Sequence, residues 1–329
     1  MRIGVYSPNW IGDAVMALPF IQQLRIQHES AEIIIFCKEW VSAIYDNHSS
    51  IDKVISISDR DIESPISTIR TGLKLKAEKF DIFYTLTDSI RSAFIMWLSG
   101  SKRRYGYRSQ MRSILLTDVF YSLEPKIHRS NKYLNMLGAE RPIEVFPKIQ
   151  LSKKEVLWAR KTIIELGLDH PIALLPFSVA TSRTVPNFLM KEWIKDSKSD
   201  YLLFGSINDI KNAEELIDIC TNNSIRSICG KYSFRQAIAL ISQCDYALAA
   251  DSGLGHIAAS LDIPTVSFFG AGMSGITGPI GLKTLVINKN VECSPCRKNV
   301  CMNIEEPLVC LKNIARSDIE NAVNSFINQ

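Results

Sequence analysis

Short apolar, β-branched segments recur along the whole chain, and each is followed by a stretch with helical periodicity. In the first half the strand segments are Arg2 to Ser7, Ala31 to Cys37, Lys53 to Ile57, Phe80 to Thr85 and, as an edge strand, Arg104 to Tyr107. The helical stretches between and after them are Ala14 to Gln27, Trp40 to Tyr45, Thr68 to Ala77, Ile90 to Leu98 and His128 to Leu137. The second half repeats the scheme, with strands at Ile172 to Leu175, Tyr201 to Phe204, Arg226 to Cys229, Tyr246 to Ala249, Thr265 to Phe268 and Thr284 to Ile287. Its helices fall near Phe188 to Asp196, Asp209 to Thr221, Phe234 to Ser242 and Ser317 to Ile327. Strands this short and this apolar are parallel strands covered by helices on both faces. The pattern predicts an α/β chain with two Rossmann-like, doubly wound parallel sheets in tandem. A length of 329 residues fits two such domains. Leu151-Ser-Lys-Lys-Glu caps a helix running to about Leu166, after the Pro-containing stretch Arg141 to Ile149. The boundary therefore falls in or just before that helix, giving domains 1–155 and 156–329, with the last helix free to pack back on the first domain.

Composition narrows the function classes. No apolar, uncharged run approaches the ~18 residues of a membrane-spanning helix. The N-terminus Met1-Arg2-Ile3-Gly4-Val5-Tyr6 enters a strand directly, without the apolar core and cleavage site of a signal peptide, so a cytoplasmic protein is expected. A net charge of +4 is too small to suggest nucleic-acid binding. The charge is uneven, however: Lys102, Arg103, Arg104, Arg108 and Arg112 lie close together and read either as solvated surface or as a patch for an anionic substrate or membrane. Among the cysteines, Cys37, Cys220, Cys229 and Cys244 sit in apolar segments and read as core. Cys293, Cys296, Cys301 and Cys310 are clustered. Their first pair has zinc-site spacing and the later ones do not, so metal, redox pairing and plain thiols all stay open.

Open α/β sheets bind ligands outside the carboxyl ends of their strands, where strand order reverses. Two such sheets facing across a cleft hold a donor on one side and an acceptor on the other. In the second half the strand ends carry Ser178, Arg183, Gly205, Tyr232 and the turn Asp251-Ser252-Gly253, with His256 one helical turn on. Serine hydroxyls, an arginine and a helix N-terminus together describe a seat for a phosphorylated, nucleotide-linked ligand. In the first half Gly12-Asp13 follows the first strand, and Asp13 reads as either a helix cap or a general base on a bound hydroxyl. Neither a dinucleotide fingerprint nor a P-loop is present. Asp59-Arg60-Asp61 reads as surface charge.

Several of these segments together resemble the bacterial ADP-heptose:lipopolysaccharide heptosyltransferases. They are Ser7-Pro-Asn-Trp-Ile-Gly-Asp13, Asp88-Ser-Ile-Arg-Ser-Ala93, Gly106-Tyr-Arg-Ser-Gln-Met-Arg112, Leu203-Phe-Gly-Ser206 and Asp251-Ser-Gly-Leu-Gly-His256, and the first and third look most like the heptosyltransferase II branch. The resemblance implies the GT-B fold. It also implies an inverting, metal-independent transfer from ADP-L-glycero-D-manno-heptose to the inner core, with no cofactor required. By that resemblance Asp13 is the catalytic base. Ser178, Arg183, Gly205, Tyr232, Asp251, Ser252, Gly253 and His256 bind the donor, while Gly12, Arg108 and Arg112 meet a lipid A-core type acceptor at the inner-membrane face. Arg183 stands where the family has Lys, and Pro176-Phe177-Ser178 replaces Pro-Gly-Ala. These departures keep open a transferase using another nucleotide sugar. A sugar-nucleotide epimerase, or a nucleotide-binding module without catalysis, are the further alternatives.

Overall fold

Strands form where the apolar runs fall. The computed structural model describes residues 1–121, 126–138, 145–195, 197–221 and 224–327. The chain divides into two compact units, Met1–Gln150 and Leu151–Gln329. The predicted linker is described from residue 145 on, and 141–144 lie outside the described residues.

The first unit holds a six-stranded parallel sheet: β1 (Arg2–Tyr6), β2 (Glu32–Lys38), β3 (Lys53–Ile57), β4 (Ile82–Thr85), β5 (Arg103–Tyr107) and β6 (Asp118–Phe120), in the order β3-β2-β1-β4-β5-β6. Its helices are α1 (Ile11–Met16), α2 (Leu18–Gln27), α3 (Glu39–Ser42), α4 (Pro65–Lys74), α5 (Ile90–Leu98) and α6 (Arg129–Leu134). Every residue of β2 except Glu32 is buried, as expected of a strand covered on both faces. The single helix expected over Ala14 to Gln27 is two, broken at Ala17. Pro19 has no N–H to give and its ring clashes with the carbonyl one turn back. Strand β6, three half-buried residues long, was too short to register as a periodic segment. Asp59 pairs with Lys38, and Asp61 closes a capping box with Ser58, so the Asp-x-Asp spacing is used locally.

The second unit repeats the topology with β7 (Ile172–Leu175), β8 (Asp200–Leu203), β9 (Ser224–Ser227), β10 (Ala247–Ala250), β11 (Thr265–Phe269) and β12 (Thr284–Asn288) in the order β12-β11-β10-β7-β8-β9. Its helices are α7 (Lys153–Glu165), α8 (Asn187–Ile194), α9 (Ile210–Ile219), α10 (Phe234–Ile241), α11 (Gly253–Ser260), α12 (Ser274–Thr277), α13 (Val309–Lys312) and α14 (Arg316–Ile327). Helix α7 starts on the expected capping box, Ser152 with Glu155. Glu155 also pairs with Arg235 of α10 at 2.6 Å, which ties the two helices together. Strand β9 lies two residues before its expected position, because Ile228 and Cys229 belong to the turn that Gly230 closes at φ +68°. Helix α14 spends its apolar face inside this unit: Ile319, Ala322 and Phe326 belong to the core that includes Trp193 and Phe268.

In both sheets the order reverses beside the first strand. Chain connections leave in opposite directions from β1 and β4, and again from β7 and β10, opening a crevice at their carboxyl ends. Each crevice holds one of the candidate clusters.

Candidate functional site

In the first unit the crevice lies between the β1–α1 loop and the β4–α5 loop. Ser7, the residue after β1, bonds Tyr45 Oη at 2.6 Å, and both side chains are buried. Asp13 is in the first turn of α1, not at its N-cap; that position is Trp10, which makes no side-chain cap. The Asp13 carboxylate lies near the end of α6, with Arg129 Nε 3.9 Å from Oδ1. Burial raises its pKa above the ordinary carboxylate range, Arg129 and Lys132 pull it down, and Asp88 pushes it up. A carboxyl of raised pKa flanked by two cations is the environment of a functional acid or base.

Asp88, at the mouth of β4, accepts from Lys132 Nζ at 3.0 and 3.3 Å. Lys132 Nζ also lies 4.8 Å from the centre of the Tyr107 ring, and Tyr107 Oη donates to the Lys132 carbonyl at 2.6 Å. Arg112 is fully buried. Its guanidinium donates to the carbonyls of Tyr107, Thr87 and Ser89, and Nη2 lies 3.6 Å from Asp88. Arg112, expected as an acceptor contact, braces the loops through these backbone carbonyls, while its Nη2 is buried without a hydrogen-bond partner among the described residues. The rest of the basic run is also largely occupied. Lys102 pairs with Asp81, Arg103 with Asp118, and Arg104 binds the carbonyls of Leu115 and Ser101. Arg108 is exposed, over the ring of Tyr121, and Gly12 sits in the first turn of α1 beside Asp13. Sequence reasoning did not single out Arg129 and Lys132. The signal was present in their i, i+3 spacing on a helix expected from His128, which puts both on one face.

In the second unit the crevice lies between the loop 176–186 after β7 and the start of α11 after β10. Ser178 Oγ donates to the Asp251 carbonyl at 3.2 Å, across the two loops. Thr184 holds the loop closed, donating to the Ser178 carbonyl and accepting from its amide, both at 3.1 Å. Arg183 Nε is 3.4 Å from Asp251 Oδ2, near enough for charge pairing but without hydrogen-bond geometry. Burial pushes the Asp251 carboxyl from its ordinary 3.8 up to about 6, with Arg183 pulling the other way. Ser252 is the N-cap of α11, yet its hydroxyl makes no cap bond and is buried without a hydrogen-bond partner. The first N–H groups of α11 have no partner within the helix. A buried, unpartnered hydroxyl beside free helix N–H groups fits a phosphate oxygen. Gly272 closes over Asp251, since a Cβ there would come within 1.9 Å of Oδ2. Gly205 packs against Phe177 of the same loop, and His256 is buried in α11. Tyr232 lies instead edge-on to Trp158 of α7, ring centres 5.5 Å apart.

A family model for glycosyltransferase family 9 (heptosyltransferase) matches residues 68–305. The chain belongs to glycosyltransferase family 9. Lipopolysaccharide heptosyltransferase 2 of Escherichia coli is 25% identical over 308 residues, covering 87% of this chain and 88% of that protein. Lipooligosaccharide heptosyltransferase 2 of Campylobacter jejuni is 24% identical over 344 residues, covering 100% and 99%. The structure of the E. coli ADP-heptose lipopolysaccharide heptosyltransferase II superposes with a TM-score of 0.82 at 23% identity over 99% of this chain and 98% of that one. The two-sheet architecture of this glycosyltransferase is thus the GT-B fold.

The clustered cysteines of the family 9 enzyme lie beside the loop 176–186. Cys293, Cys296, Cys301 and Cys310 line one small cavity together with Ser182 and Ala271. Among the described residues no group of three or more His, Cys, Asp or Glu side chains is disposed to hold a metal ion. All eight cysteines are free thiols. The segment does clasp the loop: Ser182 donates to the carbonyls of Asn299 and Lys298, and Thr181 to Asn299. Through these bonds it supports the stretch that carries Arg183.

Proposed function

We propose that this glycosyltransferase moves heptose from ADP-L-glycero-D-manno-heptose to an inner-core sugar of a lipopolysaccharide acceptor, with inversion and without a metal. The observation that carries the reading is the buried, unpartnered Ser252 hydroxyl at the N-terminus of α11, with Arg183 and Ser178 on the adjoining loop. This is a seat for a diphosphate. The E. coli relative is an ADP-heptose lipopolysaccharide heptosyltransferase, which supports ADP as the nucleotide.

In the proposed step an acceptor hydroxyl oxygen attacks the anomeric carbon of the donor, and Asp13 takes its proton. The bond from that carbon to the β-phosphate oxygen breaks, and the electron pair leaves with ADP. The α11 N–H groups, Ser252 and Arg183 stabilise the charge that develops on the leaving diphosphate. Burial of Asp13 strengthens it as a base, while Arg129 keeps the carboxylate ionised and oriented. The acceptor is lipid-anchored in this reading, so the enzyme works as a cytoplasmic protein at the inner-membrane face.

A second reading, another nucleotide sugar, is favoured by the altered donor loop at Phe177 and Arg183. Thermal shift with ADP, UDP and GDP separates the two, because ADP alone is expected to stabilise the protein. A transfer assay with ADP-heptose and truncated core acceptors, read by mass, then tests the reaction. Donor turnover without acceptor would indicate an epimerase instead.

A further inference from the structure

Helix α4 is amphipathic the wrong way round. Its inward face is Thr68, Thr71 and Gly72, while Ile66, Ile69 and Leu73 point to solvent, Ile66 with 72% of its surface exposed. Surface helices normally bury the apolar stripe. Here the threonines are satisfied inside, Thr71 donating to the Asp61 carbonyl at 2.7 Å. Gly72 lets α5 approach closely, since a Cβ there would meet Leu98 at 2.6 Å. Helix α5 lies alongside and exposes Ile90, Arg91 and Trp97, with Phe94 stacked on Trp97.

The turn after β5 continues the surface. Met111 and Ile114 are 89% and 88% exposed. Gln110 and Met111 are consecutive non-glycine residues with positive φ, 46° and 57°, a strained pair that persists only where the surroundings enforce it. The enforcement is visible: buried Arg112 anchors the turn from below, and Gln110 accepts from the Ile90 amide at 3.0 Å. Ile90 and this turn lie at the carboxyl edge of the sheet, the edge that carries Asp13 and Asp88.

Charge identifies the occupant. No acidic residue occurs from Ser64 to Ala77 or from Ser89 to Thr117, whereas Arg70, Lys74, Lys76, Arg91 and Arg108 are exposed. Exposed aliphatic side chains and a tryptophan, interleaved with exposed cations, match the acyl boundary and headgroups of an anionic bilayer. We infer that α4, α5 and the Gln110–Leu115 turn form a docking surface for anionic phospholipid, which brings the Asp13 edge to a lipid-anchored acceptor. The inference rests on the proposed membrane-borne acceptor only for its purpose; the binding itself is tested without any sugar.

The test is co-sedimentation of the full chain with phosphatidylcholine vesicles, with and without phosphatidylglycerol. The wild type is expected to bind only the phosphatidylglycerol vesicles and to be released by added salt. Arg70→Gln/Lys74→Gln/Arg91→Gln is expected to weaken binding about a hundredfold. Met111→Ser/Ile114→Ser is expected to weaken it at least tenfold (an order-of-magnitude figure for two lost insertions). Both variants change exposed residues and should turn over a soluble, deacylated acceptor as the wild type does. Equal binding to both vesicle types, or unchanged binding in both variants, overturns the inference. So does self-association without lipid that Met111→Ser/Ile114→Ser abolishes, which would make the face a contact with a second copy. Vesicle binding without transfer to the soluble acceptor would instead refute the proposed reaction and leave the surface standing.

Discussion

Replacing Arg183 by Met should cost stability in a way that depends on pH. Asp251 has a side chain only 6% exposed, and Arg183 Nε, on a side chain 31% exposed, lies 3.4 Å from it. Its folded pKa, about 6, lies above the ordinary 3.8. The folded state therefore holds a proton that the unfolded state has released, and stability falls as pH rises from 3.8 through about 6. At full ionisation this amounts to about 3 kcal/mol against the fold. Without the guanidinium the folded pKa rises further and the loss continues to higher pH. A charge pair at this distance is worth several kcal/mol at an effective dielectric of about 20, and the partial exposure of Arg183 reduces that to about 1–2 kcal/mol. The expected deficit of Arg183→Met is therefore small at pH 5, where Asp251 is mostly protonated in both proteins, and about 1–2 kcal/mol at pH 8. Urea denaturation at the two pH values, followed by tryptophan fluorescence, measures it; Trp193 is buried in the core of the same unit. An equal deficit at both pH values would refute the coupling. So would a pH-dependent effect of Arg183→Met when it is made in an Asp251→Asn background and compared with Asp251→Asn alone.

Three further outcomes follow from single contacts. Ser252→Ala removes a buried hydroxyl that has no hydrogen-bond partner, so the melting temperature should hold or rise slightly while ADP affinity, by calorimetry, falls about tenfold. Gly272→Ala drives a Cβ into the Asp251 carboxylate, and denaturant titration should show a loss of about 1–3 kcal/mol together with weakened ADP binding. Glu155→Gln removes the charge that pairs with Arg235, while its amide oxygen can still accept from Ser152 in the α7 capping box. Those contacts hold the Glu155 pKa down at about 2 from 4.5, so wild-type stability from this group is present above 4.5 and lost as pH falls toward 2. The variant should be about 1–2 kcal/mol less stable at pH 7 and indistinguishable from wild type near pH 2, if both remain folded there.

The parallel sheets were legible because strands buried on both faces announce themselves as apolar runs, as Glu32–Lys38 and Ile172–Leu175 do. The Ser152–Glu155 box marked the start of α7 for an equally local reason. Strand ends also pointed to the clusters: Ser178, Arg183 and Asp251 meet because β7 and β10 are neighbours at a reversal of strand order. The illegible features depend on distant partners. Nothing near Arg112 in the chain shows that the carbonyls of Thr87, Ser89 and Tyr107 converge on it, so its burial and bracing contacts could not be read from the basic run. Lys132 and Asp88 lie 44 positions apart, and only the fold brings them together. The inverted faces of α4 were hidden for another reason. Periodicity reveals an apolar stripe but not which way it points.

The central claim is that Asp13 is the base of a heptosyl transfer, and turnover of an Asp13→Asn variant tests it most directly. Asparagine keeps the shape and loses the proton acceptor. The account predicts that transfer of heptose from ADP-heptose to a soluble core acceptor, followed by mass, slows by about 10²–10⁴-fold, while ADP binding by calorimetry stays within about twofold. Transfer at near wild-type rate in Asp13→Asn would contradict it.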